Sequence, residues 1–219
     1  MTTRLRHRPL TLGAVFLGTA GLLAGCAGTE TAVVEPVTTT TTAVPTTTVV
    51  LTTTVGVSDA IAADLIFLRE EERLAGDVYE AMYDMYGLKT FSNIAESEDR
   101  HTESVLGLLD SYGIDDPAIG LAAGEYSDPV LQNLYDELMA LGSQSLADAL
   151  TVGATIEDLD IVDLRERVSG IDEIDTVLAN LEKGSMNHLA AFVGQLERRG
   201  ETYTAQYLTQ AEVDAIVAA

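Results

Sequence analysis

Residues 65–82 read LIFLREEERLAGDVYEAM, and this stretch decides the fold class. Its apolar residues recur at alternating steps of three and four, which places them on one face of an α-helix packed against other helices. These steps define a seam, the row of residues facing the bundle interior, made of Leu65, Leu68, Glu72, Ala75, Tyr79 and Met82. The sequence therefore predicts a buried helix face that carries one carboxylate, and a buried carboxylate requires a partner.

Three further stretches show seams of the same kind, which indicates an all-α domain with four long helices. Cap residues and glycines bound the long helices at 59–86, at Thr90 or Ser92 to Tyr112, at Ser143 or Ser145 to about 169, and at 171–199. A short helix is predicted from Pro129 to about Leu141, and a small one after the capping-box pair Thr209 and Glu212. The polar seam members are Glu98 and His101 on the second long helix, Glu157 and Asp160 on the third, and Ser185 and His188 on the fourth.

These polar residues lie near the middle of their helices, so an antiparallel bundle would bring them to one level. The seams contain no Lys or Arg to neutralise the carboxylates, which must then be protonated, be hydrated or bind a cation. His101 and His188 are the only histidines beyond His7, and both fall on seams. We predict that the cluster binds a divalent metal; a buried polar network and a site that has lost its metal are the alternatives.

The first 26 residues have the pattern of an export signal. Arg4, Arg6 and Arg8 precede an apolar run at residues 10–23, and small residues follow. The stretch from Leu23 to Cys26 resembles the bacterial lipobox, in which cleavage precedes the cysteine and the cysteine is acylated. We therefore expect lipidation at Cys26 and a protein anchored on the extracytoplasmic face of the cell membrane; an ordinary signal peptide is the alternative.

The segment 27–57 separates this signal from the folded domain. It contains 13 threonines and two prolines and has little that could form a core, which predicts a disordered stalk. Residues 58–219 are then one domain. Because Cys26 is the only cysteine, any metal in that domain must be bound by oxygen and nitrogen atoms.

The net charge limits the partners of the protein. The chain has 12 basic and 35 acidic residues and a net charge of −23, and removal of the signal makes the charge −26. Such a surface repels nucleic acid and anionic headgroups and concentrates cations. The expected partners are divalent cations and, through the lipid anchor only, a membrane.

The pattern of seams and polar residues resembles the ferritin-like superfamily, antiparallel four-helix bundles that bind two iron or manganese ions. In that superfamily two helices each give one Glu and the other two each give Glu-x-x-His. The stretches 68–75, 91–95 and 187–189 more narrowly resemble an uncharacterised branch, the domain of unknown function 2202. The resemblance implies a long crossover that contains the short helix. The implied ligands are Glu72, Glu98, His101, Glu157 and His188.

Ser185 departs from this pattern, because the superfamily has a Glu at that position of the fourth helix. We hypothesise that Asp160, one turn beyond Glu157 on the same seam, supplies the missing carboxylate. An equally open alternative is that Asp160 only hydrogen-bonds to a ligand, and a single-metal site is a further one. Glu70 and Glu71, next to the implied ligand Glu72, are expected to form a solvated acidic edge, and an entry path for cations is a further role that such an edge would suit.

Three functions are consistent with these features. The first is a di-iron or manganese redox enzyme that oxidises ferrous iron or reduces oxygen or peroxide outside the cytoplasm. The second is a surface module that binds metal without turnover. The third is a metal-free structural or interaction bundle. Tyr79 is expected to pack in the core rather than to carry a radical.

Overall fold

The computed structural model describes residues 56–219, and within that range the chain is all-helical without strands. The all-α prediction is therefore confirmed. The six helices are α1 (Asp59–Tyr86), α2 (Lys89–Tyr112), α3 (Pro129–Gly142), α4 (Leu146–Glu166), α5 (Asp172–Glu197) and α6 (Gln210–Val217). The export signal with Cys26, and the predicted stalk except for its last two residues, lie outside the described range.

Local signals set most of the helix ends. The Ser58 hydroxyl accepts a hydrogen bond from the Ile61 N–H at the start of α1, and Gly87 ends that helix with a φ of 66°. A left-handed residue at this position favours glycine, which has no Cβ to clash. The capping box of Thr209 and Glu212 is present at α6, as predicted.

Three predicted helix ends are wrong. Helix α2 begins at Lys89 rather than at Thr90 or Ser92, and Leu88 at its cap position makes no side-chain cap. Helix α4 ends at Glu166, before the predicted 169, and α5 ends at Glu197 rather than at 199. Periodicity locates a helix better than its ends, and ends commonly differ by one or two residues.

The four long helices pack in a ring, with α1 against α2, α2 against α5, α5 against α4, and α4 against α1. At one level a cluster of aliphatic side chains that includes Leu68 and Leu181 fills the interior. At another level the rings of Tyr79, Phe91 and Phe192 pack with centroids 5.1–6.4 Å apart. On α1 and α5 the polar seam residues lie in sequence between these apolar layers.

A row of polar side chains on α1 holds the connection between α2 and α3. Arg69 donates to Asp116 at 3.1 Å, Arg73 donates to the Glu125 carbonyl at 2.7 Å, and Asp77 accepts from the Tyr126 hydroxyl at 2.6 Å. This connection and α3 cover a face of α1 that periodicity alone leaves in solvent. The helices of residues 56–219 include none that is long and apolar enough to span a membrane.

The predicted acidic edge at Glu70 and Glu71 is wrong, because the two residues are only 0% and 4% exposed. Glu70 accepts hydrogen bonds from the Ser127 N–H, the Ser127 hydroxyl and the Asp128 N–H, and thereby fixes the entry to α3. Glu71 lines a small cavity against side chains of α3 and α4. Contacts between elements distant in sequence bury both carboxylates.

Candidate metal centre

The four long helices bring the predicted polar residues together in the interior. Glu72 on α1, Glu98 on α2 and Glu157 on α4 are each 2% exposed, and His188 on α5 is 8% exposed. The side chain of His101 on α2 is 11% exposed. Two of the side chains come from one helix because Glu98 and His101 are three residues apart and share a helix face.

Two triplets of donor atoms form in this cluster, Glu72–Glu98–His101 and Glu98–Glu157–His188, and in each the atoms lie within 4.8 Å of one another. His101 Nδ1 lies 2.8 Å from Glu98 Oε2 and 3.2 Å from Glu72 Oε2. His188 Nδ1 lies 2.7 Å from Glu98 Oε1 and 3.5 Å from Glu157 Oε2. Glu98 therefore faces one imidazole with each of its oxygens.

Three donor atoms of the triplets have no hydrogen-bond partner, and a metal ion could supply one. His188 Nδ1 and Glu98 Oε1 are only 2.7 Å apart, yet neither has a hydrogen bond of acceptable geometry, and Glu72 Oε1 is also buried without a partner. Two donors about 2.1 Å from one ion, at an angle of about 90° to 110°, would be about 3.0 to 3.4 Å apart. Of the four nitrogen–oxygen contacts in the triplets, the one at 3.2 Å lies in that range, those at 2.7 and 2.8 Å are shorter and the one at 3.5 Å is slightly longer. Nitrogen with carboxylate oxygen suits iron, manganese or zinc.

Two hydroxyl groups fix the carboxylates on α4. The Tyr79 hydroxyl donates to Glu157 Oε1 at 2.5 Å, which leaves Oε2 facing His188. The Ser185 hydroxyl lies 2.5 Å from Asp160 Oδ2, while Asp160 Oδ1 is buried without a partner. Neither triplet includes Asp160, so its role as a ligand stays a prediction.

Burial and the imidazoles set the charge of the carboxylates. Burial raises the pKa of Glu72 to about 7 against the opposing effect of His101. Burial also acts to raise the pKa of Glu98, but the contacts and charges of His101 and His188 outweigh it and lower that pKa to about 2. Burial, followed by the charge of Glu98, raises the pKa of Glu157. In the absence of a cation, Glu98 is thus the anion that both histidines share.

The neighbouring carboxylates raise the pKa values of the two histidines. Burial acts to lower their pKa values, but Glu72 and Glu98 raise the pKa of His101 to about 11, and Glu157 and Glu98 raise that of His188 to about 10. At neutral pH protons therefore occupy the imidazoles when no metal does. A metal ion binding there would replace those protons.

Periodicity did not reveal two features that shape the centre. A Cβ atom at Gly184 would lie 2.5 Å from Nε2 of His101, so glycine is what lets this imidazole approach α5 so closely. Tyr79 was expected only to pack, and it also donates a hydrogen bond to Glu157. The sequence did contain a signal for the close approach of His101 to α5. Gly184 is a glycine inside a helix pattern, which often marks a position where another group packs closely.

Comparison with known proteins places the chain in a family. It is 45% identical to an uncharacterized protein, MJ0754 of Methanocaldococcus jannaschii, over 163 residues that make up 74% of this chain and 88% of the relative. The crystal structure of the hypothetical protein MJ0754 from Methanococcus jannaschii matches with a TM-score of 0.72 and 41% identity, and the match covers 81% of this chain and 98% of that one. The model of a family described as an uncharacterized protein domain matches residues 62–219. The chain therefore belongs to the DUF2202 family.

Proposed function

We propose that this protein is a ferritin-like metalloprotein, anchored by lipid outside the cytoplasm, whose centre binds two iron or manganese ions and carries out redox chemistry. The observation that carries the proposal is the pair of donor triplets that share Glu98. The ring of four long helices around the cluster, and the long connection that contains α3, support the ferritin-like assignment.

The side chains have distinct roles in this proposal. His101 and His188 would each hold one ion, and Glu98, which faces both imidazoles, would be shared between the two ions. Glu72 completes the His101 triplet and Glu157 completes the His188 triplet. Bound iron supplies the capacity to exchange electrons with oxygen or peroxide. The surrounding burial excludes bulk water from the donors.

The carboxylates give a further argument for two divalent ions. Glu72, Glu98 and Glu157 together carry three negative charges when ionised, and Asp160 adds a fourth. Two divalent cations would neutralise these four charges in an interior where uncompensated charge is costly. The proposal therefore keeps Asp160 as a ligand, with Ser185 orienting it through Oδ2.

Elemental analysis tests metal binding. The full chain, purified without affinity metals and then loaded with ferrous iron under argon, is expected to retain two ions per molecule. Admission of oxygen should bring up the near-ultraviolet absorption of ferric iron, with measurable oxygen uptake. Retention of metal without oxygen or peroxide consumption would remove the redox part of the proposal.

One observation favours a second function, the binding of metal without turnover. Ser185 stands where the ferritin-like pattern has a carboxylate, and without Asp160 as a ligand the site has one anionic ligand fewer to stabilise a higher oxidation state. Zinc and manganese would be equally acceptable occupants of such a site. A melting temperature that chelators leave unchanged would instead point to a metal-free bundle, since a ligand of the native state raises stability.

The lipid anchor is a separate part of the proposal and rests on the sequence around Cys26. A Cys26→Ser variant expressed in a bacterial host is expected to lose labelling by an alkyne fatty acid and to leave the membrane fraction. A matched Ser58→Ala variant should keep both. Equal labelling of Cys26→Ser and the unchanged chain would disprove the anchor.

A further inference from the structure

Gly184 lies inside α5, at a position where the helix itself gives no reason for a glycine. Glycine in the interior of a helix loses more backbone entropy on folding than alanine does, so alanine favours the helix there. The backbone of Gly184 is helical and does not have the positive φ that would require glycine. The reason for glycine at this position must therefore be the space that a Cβ atom would occupy.

The imidazole of His101 fills that space. A Cβ atom at Gly184 would lie 2.5 Å from Nε2 and 2.6 Å from Cε1 of His101, whereas ordinary contact begins at 3.4 Å. The ring would therefore have to move by about 1 Å. Its opposite edge is confined too, because Nδ1 lies 2.8 Å from Glu98 Oε2 and 3.2 Å from Glu72 Oε2. The ring is thus held between the backbone of α5 and the carboxylates of the centre.

Within residues 56–219 two other helical glycines have equally close neighbours, but those neighbours are core side chains. A Cβ atom at Gly142 would collide with Met82, and one at Gly153 would collide with the ring of Phe192. Such collisions disturb the packing of the apolar core. At Gly184 the collision is instead with a proposed ligand, whose side chain is already 11% exposed and has room to turn toward solvent. An alanine at position 184 should therefore cost the fold little and displace the ligand.

The two donor triplets differ in their dependence on this contact. The triplet Glu72–Glu98–His101 contains the displaced ring, whereas the triplet Glu98–Glu157–His188 does not. His188 lies about one turn beyond Gly184 on α5, and the three atoms nearest to the Cβ position all belong to His101. Displacement of His101 leaves the first triplet with two carboxylates and the second triplet with all three of its members.

We propose that Gly184 is a positioning residue for one half of the centre. It keeps open the space that His101 needs in order to act as a ligand, so a side chain at this position empties the His101 triplet and leaves the His188 triplet occupied. This inference rests on the proposed metal-binding function and adds that the two ions are bound separably. A ring displaced by about 1 Å no longer serves as a ligand, since metal–ligand distances tolerate deviations of only about 0.2 Å.

The test counts the Mn²⁺ bound by the full chain and by its Gly184→Ala variant. Both are loaded with Mn²⁺, dialysed against a weak chelator, and measured by elemental analysis and electron paramagnetic resonance. The unchanged chain should retain two ions and the variant one, and the spectrum should change from that of a magnetically coupled pair to that of an isolated ion. Gly107→Ala is the matched control and should retain two ions, because a Cβ atom at this glycine of α2 has no neighbour within 4 Å.

A double variant separates a positioning role from a merely structural one. His101→Ala should itself retain one ion, and adding Gly184→Ala to it should remove no further metal, because the ring that the new Cβ atom would meet is absent. Should Gly184→Ala alone fold poorly, the double variant should still fold, as measured by its melting temperature in chelator. A double variant that loses its remaining ion or does not fold would show that Gly184 serves the packing of α5, and the inference would be overturned.

The other outcomes distinguish this inference from the proposed function. An unchanged chain that retains fewer than two ions would contradict both the two-ion centre and the role of Gly184. If the unchanged chain and Gly184→Ala both retain two ions, the two-ion centre stands and only the positioning role fails. If Gly184→Ala loses both ions while Gly107→Ala keeps them, the two-ion centre again stands, and the separate binding of the two ions is wrong.

Discussion

Two groups of carboxylates lie buried on α1, α2 and α4, and they differ in their hydrogen bonds. Glu70 and Asp158 are both 0% exposed, and each accepts three or more hydrogen bonds, mostly from backbone N–H groups of a segment distant in sequence. Glu72, Glu98 and Asp160 are almost equally buried, but each keeps one oxygen without a partner. Burial therefore does not distinguish the two groups, whereas the supply of hydrogen-bond donors does.

This difference separates a structural role from a binding role. The first group, which we call the clamp carboxylates, consists of Glu70 and Asp158, and the protein itself satisfies them. The carboxylates of the centre face two imidazoles and one another, so their remaining partners must come from outside as protons or cations. Substitution of a clamp carboxylate should thus lower the stability of the fold and leave metal affinity unchanged. Substitution of a carboxylate of the centre should lower metal affinity and leave the stability of the metal-free fold largely unchanged.

The largest effect on stability is expected for Asp158→Ala. The clamp at Asp158 accepts from the Tyr203 hydroxyl and from the N–H groups of residues 206–208. Its removal leaves the buried Tyr203 hydroxyl and Leu208 N–H unpaired, together with two partly buried N–H groups, and should lower the free energy of unfolding by about 3 to 5 kcal/mol, measured by urea denaturation. The exposed control Asp214→Ala should cost less than about 0.5 kcal/mol. The clamp role would be wrong if the two variants were equally stable.

Metal binding should be most sensitive to Glu98→Gln. Because Glu98 is the one carboxylate present in both donor triplets, its loss affects both ions. We expect affinity to fall about 100-fold or more and the stoichiometry to drop below two, measured by elemental analysis after dialysis against a weak chelator. Glu96→Gln, an exposed glutamate on the same helix, is the matched control. Equal metal content in the two variants would contradict a shared ligand.

The sequence predicted the centre better than the clamps for a physical reason. Seam positions follow from the helix period, so the amino-acid pattern alone places Glu72, Glu98 and His188 in the interior and at one level. The clamp Asp158 lies beside a seam residue rather than on the seam. Its partners come from residues 203–208, a segment without helical periodicity, and no local pattern predicts where such a segment packs.

The same reasoning explains why Glu70 and Glu71 were predicted to be solvated. On α1 alone they lie off the seam and read as an exposed edge. They are buried because α3 and the connection before it pack across this face, and that packing depends on pairs such as Arg69–Asp116, which lie 47 residues apart. Helix periodicity carries no information on contacts at such separation.

Tyr79→Phe should lower metal affinity less than Glu98→Gln does, because Tyr79 orients a carboxylate of the centre and is not itself a proposed ligand. The variant keeps the ring against Phe91 and Phe192 and removes the hydroxyl, which donates to Glu157 at 2.5 Å and lies 3.4 Å from the Gly153 carbonyl. We expect metal affinity to fall about tenfold, since neighbours that orient a ligand typically have effects of 10- to 100-fold. Tyr83→Phe, whose hydroxyl instead accepts from a lysine, is the control. Unchanged affinity in Tyr79→Phe would show that the hydroxyl does not position Glu157.

The last comparison is of pH dependence, which should have opposite signs with and without metal. In the metal-free protein the folded-state pKa values of His101 and His188, about 11 and 10, lie above the ordinary value of 6.5. The stability that these protons contribute is complete below pH 6.5 and is lost as the pH rises toward 10. Glu72, with a pKa raised to about 7, acts in the same direction. The metal-free melting temperature should therefore be lower at pH 8.5 than at pH 6.

The stabilisation by metal should depend on pH in the opposite direction. The ion replaces the protons on the imidazoles, so it binds more tightly at higher pH, where those protons are more easily lost. At a fixed excess of Mn²⁺ the stabilisation by metal should thus be larger at pH 8.5 than at pH 6, measured by scanning calorimetry of the same sample with and without chelator. The His188→Gln variant should show a weaker pH dependence in both states. If the metal-free and metal-loaded proteins respond to pH in the same direction, protons and cations do not compete for the unpartnered atoms, and the distinction between centre and clamps loses its chemical basis.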